Sequence, residues 1–392
     1  MSIPVRSVVR MRMPVPSETP ASLGYRLPAE WEPHEATWIA WPHNPEDWPG
    51  KFSPIPWVYT EIVRILSAVE PVHIIVQGRR EARGIQVKLR AAGVDPERIR
   101  FLKARTDRSW LRDTLPSFVV REARTGDDAD ESDGEHSPVA AIDWKFNAWA
   151  KYDNYRHDDR LPKAISRYLG ITRWKPRAEV DGGLARIVLE GGSIDVNGRG
   201  TLLTTEECLL DPQTQSRNPG LSREDMEGVF ADCLGVRRTI WLGRGIVGDD
   251  THGHVDDIAR FVDPNTVVVA VEPDPSDPNH EPLQDNLERL RSATDQDGNP
   301  LRVVELPMPA PVYFDDQRLP ASYANFYIAN GVVLVPTFND PSDRIALDIL
   351  ASVFPERRVV GVHSVDLVLG LGTLHCLTHE QPASPVSGGE SP

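Results

Sequence analysis

The stretch REDMEGVFADCLG, residues 223–235, sets apolar side chains at Met226, Val229, Phe230, Cys233 and Leu234, the spacing of a helix with one buried stripe. A glycine follows the last apolar position, where a left-handed residue commonly ends a helix. The same signature recurs in REARGIQVKLRAAG (80–93), DRLPKAISRYLG (159–170), LQDNLERLRSAT (283–294) and DRIALDILASVF (343–354). Between these stretches lie short β-rich runs bounded by Gly, Pro and Asp: VHIIVQ, SFVVRE, VAAIDW, TLLTT, RTIWL, TVVVAVE, VVLVP and RVVGV. One further helix, VYTEIVRILSAVE (58–70), precedes the first unit.

The helix centres fall near residues 87, 165, 227, 290 and 349. The last three intervals are 62, 63 and 59 residues. The first joins them if the acidic run GDDADESDGE (126–135) belongs to a flexible insertion over residues 123–137. This hidden repeat predicts a single α/β domain, residues 23–381, of five β-β-α-β units arranged in a ring, because repeats of one supersecondary element must stack to bury their apolar faces. Residues 1–22 and 382–392 read as disordered tails.

At 392 residues and 40% hydrophobic content, the chain can bury a sizeable core. Its longest apolar runs stop far short of the roughly 20 residues that span a bilayer, and its N-terminus lacks the apolar block of a secretory signal. The expected location is therefore the cytoplasm, with no membrane partner. A net charge of -15 repels nucleic acid and favours a cationic small molecule. Three cysteines with no C-x-x-C pair exclude a disulfide framework and a cysteine-paired structural zinc.

Four motifs mix acids, His and Cys with their neighbours: WLRDTLP (110–116), LEGGSID (189–195), GDDTHGHVDD (248–257) and GLGTLHC (370–376). Counted from the preceding helix centre, Asp113 comes 26 residues later, Glu190 25, His254 27 and Cys376 27. Equivalent positions in four units converge if the units surround an axis. The fourth unit breaks phase: the same offset lands near Asp316, and Asn325 in PASYANFYIANG follows about nine residues late.

Taken singly, Asp113 beside Arg112 also reads as a surface ion pair, and Glu190 before two glycines as a strand end at a tight turn. Cys208 and Cys233 read as buried fillers. Cys376 is the nucleophile candidate, because an ionised thiol attacks carbon strongly and a neighbouring cation lowers its pKa. His254 could take and return protons. Several carboxylates around a cysteine would suppress its thiolate unless the substrate is a cation. A guanidinium, with forked N–H donors that carboxylates clasp bidentately, fits that requirement.

The string H-x-H-x-D at His252, His254 and Asp256 raises a metal reading, but Asp257 stands where a binuclear zinc hydrolase needs a further His, and no paired His motif follows. The expected site therefore holds no metal. THGHVDD reads instead as a strand whose alternation throws His254 and Asp256 to one face, and His375 and Cys376 as strand neighbours facing opposite ways.

The motifs EWEPHEATWIAWP, WLRDTLPSFVV, LEGGSI, TLLTTEECLL, GHVDDIARF, ASYANFYIANG and LHCLT, in this order, resemble the agmatine deiminase and bacterial peptidylarginine deiminase family. The resemblance runs from about residue 24 to 383 and implies the five-bladed α/β-propeller (pentein) fold of guanidine-modifying enzymes. It implies that Cys376 attacks the guanidinium carbon to give a thiouronium intermediate, that His254 protonates the departing nitrogen and activates water, and that Asp113 and Asp256 clasp the guanidinium. Glu190 would orient His254, Trp110 would line the substrate channel, and Asn325 would sit near the pocket. No cofactor is implied, a homodimer is the expected assembly, and the leading substrate is agmatine, giving N-carbamoylputrescine and ammonia on the way to putrescine. Another small guanidine or a peptidyl arginine, amidino transfer to an amine, and a non-catalytic binding role on the same fold stay open. The chain departs from the family's usual NAWGGKYPPW, TDGHVDN and GGGNIHC at Lys151–Arg156, His252 and Thr373.

Overall fold

The stripe of residues 223–235 folds as its spacing dictates. In the computed structural model, which describes residues 18–121, 137–180 and 182–385, a helix spans Arg223–Leu234 and buries Met226, Val229, Phe230, Cys233 and Leu234. Ser222 and Asp225 cap its start reciprocally, each side chain accepting from the other's backbone N–H. Gly235 ends it at φ 71°, a conformation that costs glycine nothing. Truncating Phe230 to Ala in this packed stripe would cost about 3–5 kcal/mol.

The helices Arg79–Ala91, Leu161–Leu169, His280–Ser292 and Ser342–Val353 lie within three residues of their expected positions. The preceding helix spans Ile55–Leu66 instead of 58–70. Pro56 suits its first turn, where an N–H has no partner to lose. Glu70, expected inside it, is buried beyond its end, where its carboxylate accepts from the Asn330 backbone N–H at 2.7 Å.

Four sheets repeat one pattern, an antiparallel pair followed by a parallel partner reached across one of these helices. They are Ser117–Val120, Val139–Ile142 and Arg173–Trp174; Asp195–Val196, Thr201–Thr205 and Arg238–Leu242; Ala259–Asp263, Thr266–Val271 and Arg302–Pro307; and Tyr327–Ala329, Val332–Thr337 and Arg358–His363. Their middle strands are buried on both faces, as apolar runs in Val139–Ile142, Thr266–Val271 and Val332–Thr337 and with threonines at three of five positions in Thr201–Thr205. In a fifth sheet, Thr378–Pro382 pairs antiparallel with His34–Ala40, which runs parallel to Val72–Val76, itself parallel to Ile99–Lys103. Strands from the two ends of the described chain thus share one sheet, with Trp38 opposite His379.

The broken phase of the fourth unit has a structural cause. A small hairpin, Tyr313–Phe314 paired with Gln317–Arg318, is inserted between Arg302–Pro307 and Tyr327–Ala329. Asp316, which the offset selects, sits in its tight turn at φ 62°, whereas Asn325 lies immediately ahead of the next sheet, like the other reactive residues.

Within the expected N-terminal tail, Thr19 and Pro20 are buried and a 3-10 turn spans Ala21–Leu23. The expected acidic insertion and the outer parts of both tails lie outside the described residues. No helix among the described residues is long and apolar enough to cross a membrane.

Candidate active site

Each reactive residue occupies a short crossing into the next sheet. Asp113 lies in the turn Leu111–Thr114 ahead of Ser117, Glu190 precedes the 3-10 turn Gly191–Ser193, and Cys376 lies in the turn Leu374–Leu377. His254 precedes a 3-10 turn over Val255–Asp257, so the expected strand is absent here. His252 at φ 65° and Gly253 at φ 88° turn the chain, and the Asp249 carboxylate accepts from the backbone N–H of Gly253 at 2.7 Å and of His254 at 3.1 Å. His252 itself leaves the site to meet Asp211 at 2.9 Å, so His252, His254 and Asp256 do not share one ion.

Gly192 marks the centre of the arrangement. Its N–H donates to Asp113 Oδ1 at 3.0 Å, and a Cβ built on it would stand 2.6 Å from His254 Nδ1 and 3.0 Å from both Asp113 Oδ1 and Asp256 Oδ2. Three reactive side chains therefore meet around one backbone position that only glycine fits. The second oxygen of Asp113 accepts from Trp149 Nε1 at 2.9 Å. On its other edge, His254 Nε2 faces Glu190 Oε2 at 3.9 Å. Cys376 Sγ is 3.7 Å from Asp256 Oδ2 and 3.1 Å from Asn325 Nδ2. Trp110 packs beside the thiol, since a Cβ on Gly372 would meet Cys376 Sγ and Trp110 Cζ3, each at 3.1 Å. All seven residues expected at the site are brought together.

His375 does not face away from Cys376. Both sit on one helical turn, and His375 bridges Asp256 Oδ2 at 2.7 Å and Glu30 Oε2 at 2.8 Å, with Arg112 and Arg260 also on Glu30. Cys208 is buried as expected, but it is no distant filler: its thiol lies against His254 and Glu190. Cys233, by contrast, is only packed into its helix's buried stripe.

The site is electrostatically polarised. Burial pushes the Cys376 thiol well above the ordinary cysteine range, and Asp256, Asp257 and Asp113 push it the same way. Burial alone would lower His254, but Asp113, Cys208 and Glu190 outweigh it and hold the imidazole well above its usual value. Burial likewise opposes ionisation of Glu190, yet the adjacent Arg217 guanidinium and His254 bring its pKa down to about 2. Asp113 is raised, chiefly by burial. Asp256 Oδ1 and Glu190 Oε2 are buried without a hydrogen-bond partner. Acceptors of this kind suit a ligand that brings its own N–H donors.

The sequence profile of the Porphyromonas-type peptidyl-arginine deiminase family matches residues 26–382. The chain belongs to this deiminase family. The agmatine deiminase of Ectopseudomonas mendocina is 36% identical over 388 residues, covering 93% of this chain and 97% of the relative. That of Pseudomonas aeruginosa is 37% identical, covering 94% and 98%. The solved agmatine deiminase of Enterococcus faecalis superposes with a TM-score of 0.81 at 32% identity, over 95% of this chain and 99% of that one.

In this member of the deiminase family, a cavity of about 530 Å³ opens onto Cys376, Asp113, Trp110 and Trp149. The inserted hairpin contributes Phe314 and Asp315 to its lining, so the insertion that hides the fourth unit in the sequence also shapes the site. Among the family departures, Lys151 and Tyr152 both engage Asp250 beside the cavity, and Thr373 donates to Asn325 Oδ1 at 2.7 Å. Trp149, Arg217, Glu30 and His375 contact the candidate residues and were not selected by motif spacing. Only the backbone at residues 148–150, three consecutive positive-φ residues in NAWAKYD, marks the Trp149 loop as special.

Proposed function

We propose that this chain, like the relatives named agmatine deiminases, hydrolyses agmatine to N-carbamoylputrescine and ammonia, and that it does so through a covalent cysteine intermediate. The observation that carries the reading is a buried thiol, Cys376, set among Asp256, Asp257 and Asp113. Such a thiol ionises readily only when a cation enters beside it. A guanidinium supplies that cation, and the free oxygens of Asp256 and Glu190 are acceptors for its N–H groups.

In the proposed sequence, Asp113 and Asp256 clasp the guanidinium, Cys376 gives up its thiol proton to solvent as the cation enters, and Sγ forms a bond to the central carbon. His254, protonated at rest, gives its proton to a terminal nitrogen, and the C–N bond to that nitrogen breaks to release ammonia. Neutral His254 then takes a proton from water as the water oxygen bonds to the thiouronium carbon. Collapse breaks the C–S bond and passes the hydroxyl proton to the sulfur, leaving the ureido product and the resting thiol, while the proton first lost from Cys376 leaves with ammonia as ammonium. Glu190, held ionised by Arg217, orients His254 and stabilises its charged form. Trp110 flanks the thiol and Asn325 donates to sulfur.

We also propose that the five sheets stand as five blades of a ring. Their repeated strand pattern and the sheet shared by the two ends of the described chain support this arrangement, which accounts for reactive residues on four crossings meeting at one centre. The cytoplasm, where a thiol nucleophile stays reduced, is the proposed location.

The test is a panel of agmatine, arginine, guanidinobutyrate and a peptidyl arginine, incubated with metal-stripped protein. Ammonia release from agmatine that needs Cys376 supports the proposal. Release from another guanidine alone reassigns the substrate, and release by the Cys376→Ala protein overturns the mechanism.

A further inference from the structure

Cys208 is a buried thiol that the proposed reaction does not use. It lies on the short helix Glu206–Leu210, whose leading residue Thr205 anchors the approach to His254 by donating from Oγ1 to the Gly253 carbonyl at 2.6 Å. One ligand atom each from Glu190, Cys208 and His254 lie within 4.8 Å of one another, the one such group among the described residues. Two further observations bear on what this cluster could hold. His254 Nε2 and Glu190 Oε2 are both buried with no hydrogen-bond partner. Arg217 engages Glu190 through Oε1 at 3.0 Å, which leaves Oε2 facing His254 Nε2 at 3.9 Å, beyond hydrogen-bond distance.

We infer that Glu190, Cys208 and His254 form a binding site for a soft divalent cation, zinc by preference, on the Nε2 edge of the imidazole, opposite the Nδ1 edge that faces Asp113. A thiolate, an imidazole nitrogen and one carboxylate oxygen are a zinc donor set, whereas hard cations require cages of oxygen ligands. Zinc bonds of about 2.0–2.3 Å in tetrahedral geometry place ligand atoms roughly 3.3–3.8 Å apart. The 3.9 Å from His254 Nε2 to Glu190 Oε2 needs only a slight contraction to meet that spacing. Binding releases two protons, one from the Cys208 thiol and one from the His254 imidazolium, and forms S–Zn and N–Zn bonds. The ion is therefore inhibitory: with Nε2 on zinc, His254 keeps only the Nδ1–H of a neutral imidazole, a far weaker acid than the imidazolium that would protonate the departing nitrogen, and has no free nitrogen to take a proton from water.

The first test uses the full chain carrying Cys376→Ala, so that the nucleophile contributes no signal, titrated with Co²⁺ as a spectroscopic stand-in for zinc. One equivalent of thiolate-to-cobalt charge-transfer absorption is expected, together with one sulfur scatterer at about 2.3 Å in the X-ray absorption of the zinc-loaded protein. No charge-transfer band, or a first shell of nitrogen and oxygen only, overturns the inference. So does the same band in a folded protein that also carries Cys208→Ser. The second test measures agmatine turnover. Zinc should lower kcat, EDTA should restore it, and Cys208→Ser should raise the half-inhibiting zinc concentration at least about tenfold. Equal sensitivity of the two proteins contradicts the site. The cobalt titration needs no turnover, so its failure is distinct from a failure of the agmatine reading.

Discussion

Asn325 donates from Nδ2 to the sulfur of Cys376 at 3.1 Å and to the buried carboxylate of Asp257 at 3.0 Å, while its Oδ1 accepts from Thr373 and from the His375 backbone. The amide thus offers a donor to the one sulfur that must become an anion. Asn325→Asp replaces that donor with a fourth carboxylate near the thiol. It is expected to lower kcat/KM by at least about 10²-fold, the usual cost of losing a donor aimed at developing charge. Asn325→Ala should be less severe in steady-state assays. An Asp variant as active as the Ala variant would show that the electrostatic role is wrong.

Gly192→Ala tests the convergence directly. The added methyl would stand 2.6 Å from His254 Nδ1 and 3.0 Å from two carboxylate oxygens. Overpacking a buried position costs about 1–3 kcal/mol of stability. The effect on turnover should be larger, because displaced groups lose their alignment: about 10²-fold or more in kcat. Thermal melting and kinetics on one preparation separate the two, and near-normal kcat would contradict the assignment.

The thiol's environment makes alkylation charge-selective. Chloroacetamidine, a cation, and chloroacetamide, its neutral analogue, differ little in shape. Since burial, and with it the carboxylates of Asp256, Asp257 and Asp113, raise the Cys376 pKa, the cation should inactivate at least about tenfold faster near neutral pH, the effect of one pKa unit of thiolate stabilisation. Asp256→Asn should narrow that ratio. Equal rates for the two reagents in the unmodified protein would refute a substrate-assisted thiolate.

Arg217→Met isolates a buried ion pair. Arg217 Nε lies 3.0 Å from Glu190 Oε1 with both side chains inaccessible to solvent. Removing the cation strands a buried carboxylate, at a cost of about 3–5 kcal/mol near neutral pH. The folded pKa of Glu190, about 2, lies below its ordinary 4.5, so its charged form adds stability that is present above the unfolded value and lost as pH falls toward 2. Urea unfolding across this window should show the wild type losing its advantage over Arg217→Met as the pH drops. A constant gap would mean that the pair is not the source.

How much of this was legible in the sequence depends on how local the cause is. The helix at 223–234 is written in its stripe, its Ser222–Asp225 box and Gly235, all contacts between near neighbours. Buried middle strands such as Thr266–Val271 announce themselves as apolar runs. The outer strands Asp195–Val196 and Tyr327–Ala329 are too short to carry a period. The turns bearing His254 and Cys376 look strand-like because apolar and polar residues alternate there, and only the long-range contacts of each turn decide otherwise. His375 reaches Glu30 across 345 positions, and no spacing rule connects them. Asn325 was obscured by an inserted hairpin that a fixed repeat length cannot anticipate.

The central claim is that Cys376 takes the guanidinium carbon while ammonia leaves and the alkyl tail stays. Acid-quenching the enzyme during agmatine turnover and sequencing the Cys376 peptide by mass spectrometry reads this directly. A thiouronium on Cys376 that retains the aminobutyl chain is the expected adduct. A bare amidino group on Cys376 would mean that the amine, not ammonia, departs, as in amidino transfer, and the absence of any adduct under rapid turnover and prompt quenching would contradict covalent catalysis by this cysteine.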